Sequence, residues 1–237
     1  MHYTKALNII FCSLVLSTTA LVAQPSHAIW NRLLQENVTE KGQVDYAAIQ
    51  KNSASLDSYL NTLSKNPPTE SWSKNAQLAY WINTYNAFTV KLIIDNYPVK
   101  SITDLHNGKP WDVQWIEIGD KTYSLNTIEN KIIRPTFKEP RIHFAVNCAA
   151  KSCPPLLNRA WTAKNLDYHL DRQTRSFINN AKYNKIEAGK AQVSKIFDWY
   201  SEDFGEIAMY LNRYLSDQIL KPGSVTFLAY DWGLNEQ

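Results

Sequence analysis

Hydrophobic residues recur at helical spacing along the first part of the chain. Trp30, Leu33, Leu34 and Val38 form one stripe; Leu56, Tyr59, Leu60 and Leu63 form a second, ending before Asn66-Pro67-Pro68. Both predict short peripheral helices. The segment SWSKNAQLAYWINTYNAFTVKLIIDNYP predicts a longer one. At 100° per residue, Gln77, Thr84, Lys91 and Asp95 fall within about 40° of one another, leaving one narrow solvent strip on an otherwise apolar helix. Asn86 projects about 180° from Gln77, and Asn83 about 120° from it. Two amides therefore face the buried side. A buried amide without partners costs about 1–3 kcal/mol, so each must tie down a neighbouring backbone or orient a reactive group or ligand.

Downstream the period changes. Alternation over 113–118, the turn Gly119-Asp120 and a return over 121–124 predict a hairpin. Asn126-Thr127-Ile128-Glu129 has capping-box spacing and opens a helix that Pro135 should stop near Arg134. Glu129 is read first as a cap, and otherwise as a catalytic acid or a group that binds or orients a ligand. Over 141–147 alternation predicts a strand with Ile142, Phe144 and Val146 on one face and His143, Ala145 and Asn147 on the other. Thr162 can cap a helix carrying Leu166, Leu170, Gln173 and Phe177, with His169 flanking that stripe. A small hairpin (185–187 and 192–194), a helix from Ser194 stopped at Gly205, a helix over 207–220 and a strand over 225–230 complete the pattern. Helices come first and short strands later. The expectation is a helix-rich α+β single domain with a long buried central helix and a small, mostly antiparallel sheet.

The N-terminus reads differently. Lys5 is followed by the uncharged, largely apolar run 6–23 and by small residues, the pattern of a signal peptide over 1–28, with cleavage after Ala28 or after Ala23. The expected product is an exported, periplasmic or secreted chain over 29–237. No later segment reaches the ~18 consecutive apolar residues of a membrane span. No repeat or Gly/Ser linker divides the remainder. The net charge of +3 becomes +2 once Lys5 leaves, and its charges are dispersed, which gives no footprint for nucleic acid. Eight Trp and thirteen Tyr stand out more, because amphipathic aromatics line sugar and peptide sites as well as cores. The expected partner is a small molecule or a peptide.

The candidate chemistry concentrates in RIHFAVNCAAKSCPP. A reactive thiolate needs an imidazole nearby and a third group to orient it, and His143, Asn147 and Cys148 or Cys153 supply those types. An exported chain also permits the two cysteines to form a disulfide, which would stabilise by about 2–3 kcal/mol in the chain-entropy model. Both readings stand at this point. A C-x4-C pair with one histidine lacks a convincing fourth zinc ligand, so no metal is expected. Glu129, Asp198, Asp203 and Asp231 offer carboxylates, but nothing in their spacing pairs them. No glycine-rich phosphate loop is present and no cofactor is expected.

Five ordered motifs, YWINTYNA, SLNTIENKIIR, RIHFAVNCAAKSCPPL, SKIFDWYSEDF and YDWGLN, together resemble the domain of unknown function 547 family over about residues 40–235. Asn130 stands where that pattern leads one to expect histidine, and Gly233 where serine is common. The resemblance implies a fold and an exported bacterial setting, and no established reaction. A weaker likeness is to thiol enzymes of the papain and transglutaminase type. Their nucleophile starts the long helix, where this chain has only Ser71 and Ser73.

Overall fold

The computed structural model describes residues 24–217 and 220–237. The predicted signal segment thus lies outside the described residues up to position 23, and Ala28 begins α1 (Ala28–Asn37). Next come α2 (Tyr46–Lys51), capped by Asp45, and α3 (Ala54–Lys65). The two predicted stripes face each other, with Trp30 stacked on Tyr59 at 5.8 Å.

The long helix is α4 (Lys74–Asp95), which starts where Ser73 Oγ accepts the Ala76 N–H. Ser73 is therefore an N-cap. With neither Gly nor Pro inside, α4 runs through the core, and residues 78–90 are buried without a break. The predicted solvent strip does not survive at its middle. Thr84 is fully buried, and its hydroxyl donates to Tyr80 O at 2.8 Å. The two ends of the strip reach the surface, at half-buried Gln77 and where Lys91 bonds Asp95 at 2.6 Å.

The strands form two small sheets. β1 (Ile116–Ile118) and β2 (Lys121–Tyr123) are antiparallel, with Ile116 opposite Tyr123. β3 (Lys185–Glu187) and β4 (Lys190–Val193) make a hairpin tighter than expected, and β5 (Val225–Phe227) joins β4 in parallel. The helix-rich α+β class holds, with a parallel pairing inside the second sheet.

Two expected elements are different. Residues 141–147 are not a strand: Pro140–Phe144 is a 3-10 helix, with Pro140 in its first turn and the Glu139 carboxylate accepting the Arg141 N–H at 3.1 Å. The alternation misled because residues 142–147 are all buried, polar and apolar alike. Ile142 joins the hydrophobic cluster around α4, and Phe144 joins a second cluster with Phe177 and Phe197. His143 is thereby fixed at the junction between two cores.

The helix before it does not stop at Arg134. Ser124, not Asn126, is its cap, accepting the Thr127 N–H at 3.0 Å. Leu125–Thr127 (α5) passes into a π-helical turn, Ile128–Ile133, and then into α6 (Arg134–Phe137). In a regular α-helix the Pro135 ring would clash with the carbonyl four residues earlier; the wider π-turn relieves that clash and lets the helix continue.

Beyond lies α7 (Leu166–Ile178), preceded by Thr162 and Asn165, which cap each other's backbone N–H at 2.8 and 3.2 Å. α8 (Ile196–Trp199), α9 (Ser201–Phe204) and α10 (Ile207–Asn212) follow, the last ending at Asn212 and not near 220. The C-terminal tail straps the molecule: Glu236 bridges Val44, Gly233 bridges Ser101 and Leu234 bridges Ala150. No described helix is long and apolar enough to cross a membrane.

Candidate active site

Three buried amides build the frame. Asn86 donates to Ala145 O at 2.9 Å and accepts the Asn147 N–H at 2.8 Å. Asn83 brackets Trp161 in the same way, donating at 2.7 Å and accepting at 3.0 Å. Asn147 donates to Pro154 O at 2.8 Å and accepts the Ala149 N–H at 2.9 Å, closing the loop that carries both cysteines. Each amide satisfies backbone groups that no helix or sheet pairs. All three act by positioning, and Asn147 does not orient the His143 ring.

That task falls to Asp203, on α9. His143 Nε2 lies 2.6 Å from Asp203 Oδ2. Arg134 grips the same carboxylate in a fork, Nε at 2.6 Å and Nη2 at 3.0 Å. His143 and Arg134 together hold the Asp203 carboxyl far below the usual carboxylate range, against the opposing effect of burial. Tyr200 covers the imidazole face, with ring centroids 3.9 Å apart. The second nitrogen, Nδ1, is buried without a hydrogen-bond partner, 3.8 Å from Glu129 Oε1. Glu129 itself is buried. It comes from the π-helical turn, so the irregular turn that accommodates Pro135 also carries an acid to the histidine. Burial and the Glu129 carboxylate raise the Tyr200 phenol well above its ordinary value.

Both cysteines are free thiols. Cys148 is half-buried and Cys153 buried. The Cys148 N–H donates to Cys153 Sγ at 2.9 Å, and Cys148 Sγ lies 3.2 Å from the Tyr230 hydroxyl. Hydrogen bonds from Cys153, Tyr230 and the Ala150 backbone outweigh burial and lower the Cys148 thiol. Burial and the neighbouring Cys148 raise Cys153 well above its ordinary value. The two thiols are thus unequal. Cys148 is biased toward the thiolate, with Cys153 as its protonated donor.

One cavity of about 320 Å³ joins these groups, with Glu129, His143, Cys148 and Cys153 in its lining. Tyr85, Tyr200 and Tyr230 form its sides. Trp111, Trp199 and Trp232 stand at its mouth beside Lys109, Asp112 and Asn126. Asp112 Oδ1 accepts from Asn126 Nδ2 at 2.8 Å, Asn126 Oδ1 accepts from Asn130, and Asn130 Oδ1 accepts from Arg134 Nη1 at 2.8 Å. With Arg134 on Asp203, a continuous polar chain connects the cavity mouth to His143. Among the described residues, no group of three or more His, Cys, Asp or Glu side chains is placed to hold a metal ion.

Four of the residues singled out from sequence meet in this cavity, and Asn86 and Asn147 brace the loops behind it. Asn83 fixes a different loop. Sequence reasoning missed the roles of Asp203, Tyr200, Tyr230 and Arg134. Asp203 had stood out only as one of four unpaired carboxylates, and the rest of the signal was motif membership: SKIFDWYSEDF contains Tyr200 and Asp203, SLNTIENKIIR contains Arg134 and YDWGLN contains Tyr230. His169, which flanks the apolar stripe of α7, is buried there with Trp161 and Tyr168 rings against it.

Comparison with curated proteins and with solved structures yields no match. A family model described as "Protein of unknown function, DUF547" matches residues 69–178, which include α4, Glu129, His143 and both cysteines. On that match, the stretch 69–178 of this chain is assigned to the DUF547 family.

Proposed function

We propose that the protein is an exported thiol-dependent hydrolase or acyl transferase, with Cys148 as nucleophile and Glu129, His143 and Asp203 as its proton relay. The observation that carries this reading is the lowered Cys148 thiol in the same cavity as a histidine fixed by a carboxylate. Nucleophile, acid/base group and orienting group are the three parts acyl transfer requires.

The step follows from those parts. The Cys148 thiolate attacks an acyl carbonyl and forms an S–C bond. The bond to the leaving oxygen or nitrogen breaks, and that atom takes a proton from the relay. Water then gives a proton back to the relay and attacks the thioester, releasing the acid and regenerating the thiolate. An alcohol or amine in place of water gives transfer. Both groups line the cavity, but the His143 side chain is 1% exposed with its Nδ1 buried, against 7% for Glu129, so Glu129 is the member that meets substrate. The 3.8 Å gap between them exceeds a hydrogen bond, and such contacts commonly tighten only with substrate bound.

Incubation with p-nitrophenyl acetate, acid quench and peptide mass mapping test the reading. An acetyl adduct on the Cys148 peptide, absent from Cys148→Ala, is expected. Its absence from the wild-type chain overturns the reading.

Export rests on Lys5, the apolar run and the small residues after it. Of the two cleavage positions, the one after Ala23 retains His27, whose Nδ1 lies 2.7 Å from the Tyr59 hydroxyl. Intact mass of the secreted chain should correspond to a start at Gln24; a chain retaining Met1 contradicts export with cleavage.

A further inference from the structure

We propose that the cavity mouth is a carbohydrate-binding site, which makes an acyl group carried on a sugar the substrate class of the thiol chemistry. This deepens the reading above and rests on it for the reaction, though not for the binding.

The first observation is the aromatic wall. Trp199 is 44% exposed, unusual for a residue with so large an apolar surface. It stacks on Trp232 at 5.6 Å and 25°, and Trp232 meets Trp111 at 5.5 Å and Tyr230 at 4.5 Å. Three separate stretches of chain deliver these rings: the 3-10 helix Pro110–Asp112, α8 and the tail. They touch one another, so they form a continuous wall and not a box of separated faces around one point. A box is what a quaternary ammonium needs. Trp111 and Tyr230 tilt 58° and 53° from Trp232, so the wall is angled, and the apolar ring it offers to a flat ligand is that of exposed Trp199.

The second observation is the polar edge beside that wall. Asp112 and Asn126 are exposed yet held in place, because each belongs to the hydrogen-bonded chain that runs through Asn130 and Arg134 to Asp203. A carboxylate accepts at two oxygens and an amide both donates and accepts. Fixed groups of this kind match ring hydroxyls, which also donate and accept. A pyranose has the complementary shape, with C–H faces for the indoles and a rim of hydroxyls for the polar pair. A peptide is matched less well: none of the residues lining this cavity belongs to a described strand that a peptide could extend, and a proline-rich peptide, which docks aromatic grooves, has few N–H donors for the Asp112 carboxylate. The volume of about 320 Å³ lies at the low end of small-molecule sites, roughly 300–1,000 Å³, which fits one or two rings and not a long polymer.

The test uses the full chain with Cys148→Ala, so that turnover cannot consume the ligand. A panel of neutral and N-acetylated pyranose oligosaccharides is screened, and the best binder is titrated by calorimetry. Binding is expected, weakened at least about tenfold by Trp199→Ala and largely kept by Trp199→Phe, as loss of one stacking face predicts. Circular dichroism confirms that each variant folds. Three results overturn the site: no saccharide on the panel binds, Trp199→Ala binds as tightly as the parent, or an aromatic tripeptide binds through Trp199 while no saccharide does. Failure of the two ideas is separable. An acetyl adduct on Cys148 without saccharide binding removes the sugar and keeps the thiol chemistry, whereas saccharide binding without an adduct does the reverse.

Discussion

Replacing Asn86 with leucine makes α4 more hydrophobic and should nonetheless destabilise the protein strongly. The side chain is 2% exposed, and its two hydrogen bonds satisfy the Ala145 carbonyl and the Asn147 N–H, both buried. Leucine satisfies neither. One orphaned buried polar group costs about 1–3 kcal/mol, so the pair costs about 2–6 kcal/mol. The gain from burying leucine, at most about 1.5–3 kcal/mol, is offset by overpacking of about 1–3 kcal/mol where an amide fitted closely. The net expectation is a loss of about 2–5 kcal/mol in urea denaturation, with the slope unchanged. Asn83→Leu should cost a similar amount through Trp161, but only Asn86→Leu should also disturb the Cys148 loop and its thiol reactivity. A loss below about 1 kcal/mol for Asn86→Leu would refute this account of the buried amides.

Asp203→Asn should destabilise the fold near neutral pH, with the gap closing as pH falls. The wild-type carboxyl is held below its ordinary value of about 3.9, so its stabilisation is complete above that value and is lost as pH drops toward the lower folded one. A gap that is constant across acid pH, measured by denaturation at several pH values, contradicts this. Cys153→Ala should raise the pH at which Cys148 becomes alkylated, because it removes the leading hydrogen bond to that sulfur, and Tyr230→Phe should do so to a smaller degree. An unchanged labelling profile in both variants would dismiss the pairing. His143→Ala should slow acetyl turnover by about 10²-fold or more, while His169→Ala leaves it near wild type; equal losses measured by p-nitrophenol release would remove His143 from the relay.

The hairpin and α7 were legible because one period dominates each, 3.6 in α7 and 2 across Ile116, Glu117 and Ile118, whereas α4 was legible as a long apolar run with neither Gly nor Pro inside, since residues 78–90 are buried on every side. The His143 segment was misread because its polar residues are as buried as its apolar ones, so alternation there no longer separates inside from outside. Pro135 misled because a π-turn absorbs its clash, and nothing in the local sequence announces a π-turn. His143, Cys148 and Cys153 could be picked out as adjacent reactive types in one stretch. Asp203 lies sixty positions from His143 and Tyr230 eighty-two from Cys148, and only the tertiary fold brings either to its partner. The aromatic wall was illegible for the same reason, although the abundance of Trp and Tyr hinted at it.

The central claim is that the two cysteines are unequal, with Cys148 the reactive thiolate. Site-resolved alkylation of the folded chain with iodoacetamide, without reductant and across pH 6 to 9, tests it directly. The expected result is that Cys148 is labelled first and below the pH at which an ordinary thiol reacts, while Cys153 stays protected until the chain is unfolded. Equal labelling of both, or protection of both that only a reductant relieves, as a Cys148–Cys153 disulfide would give, contradicts the claim.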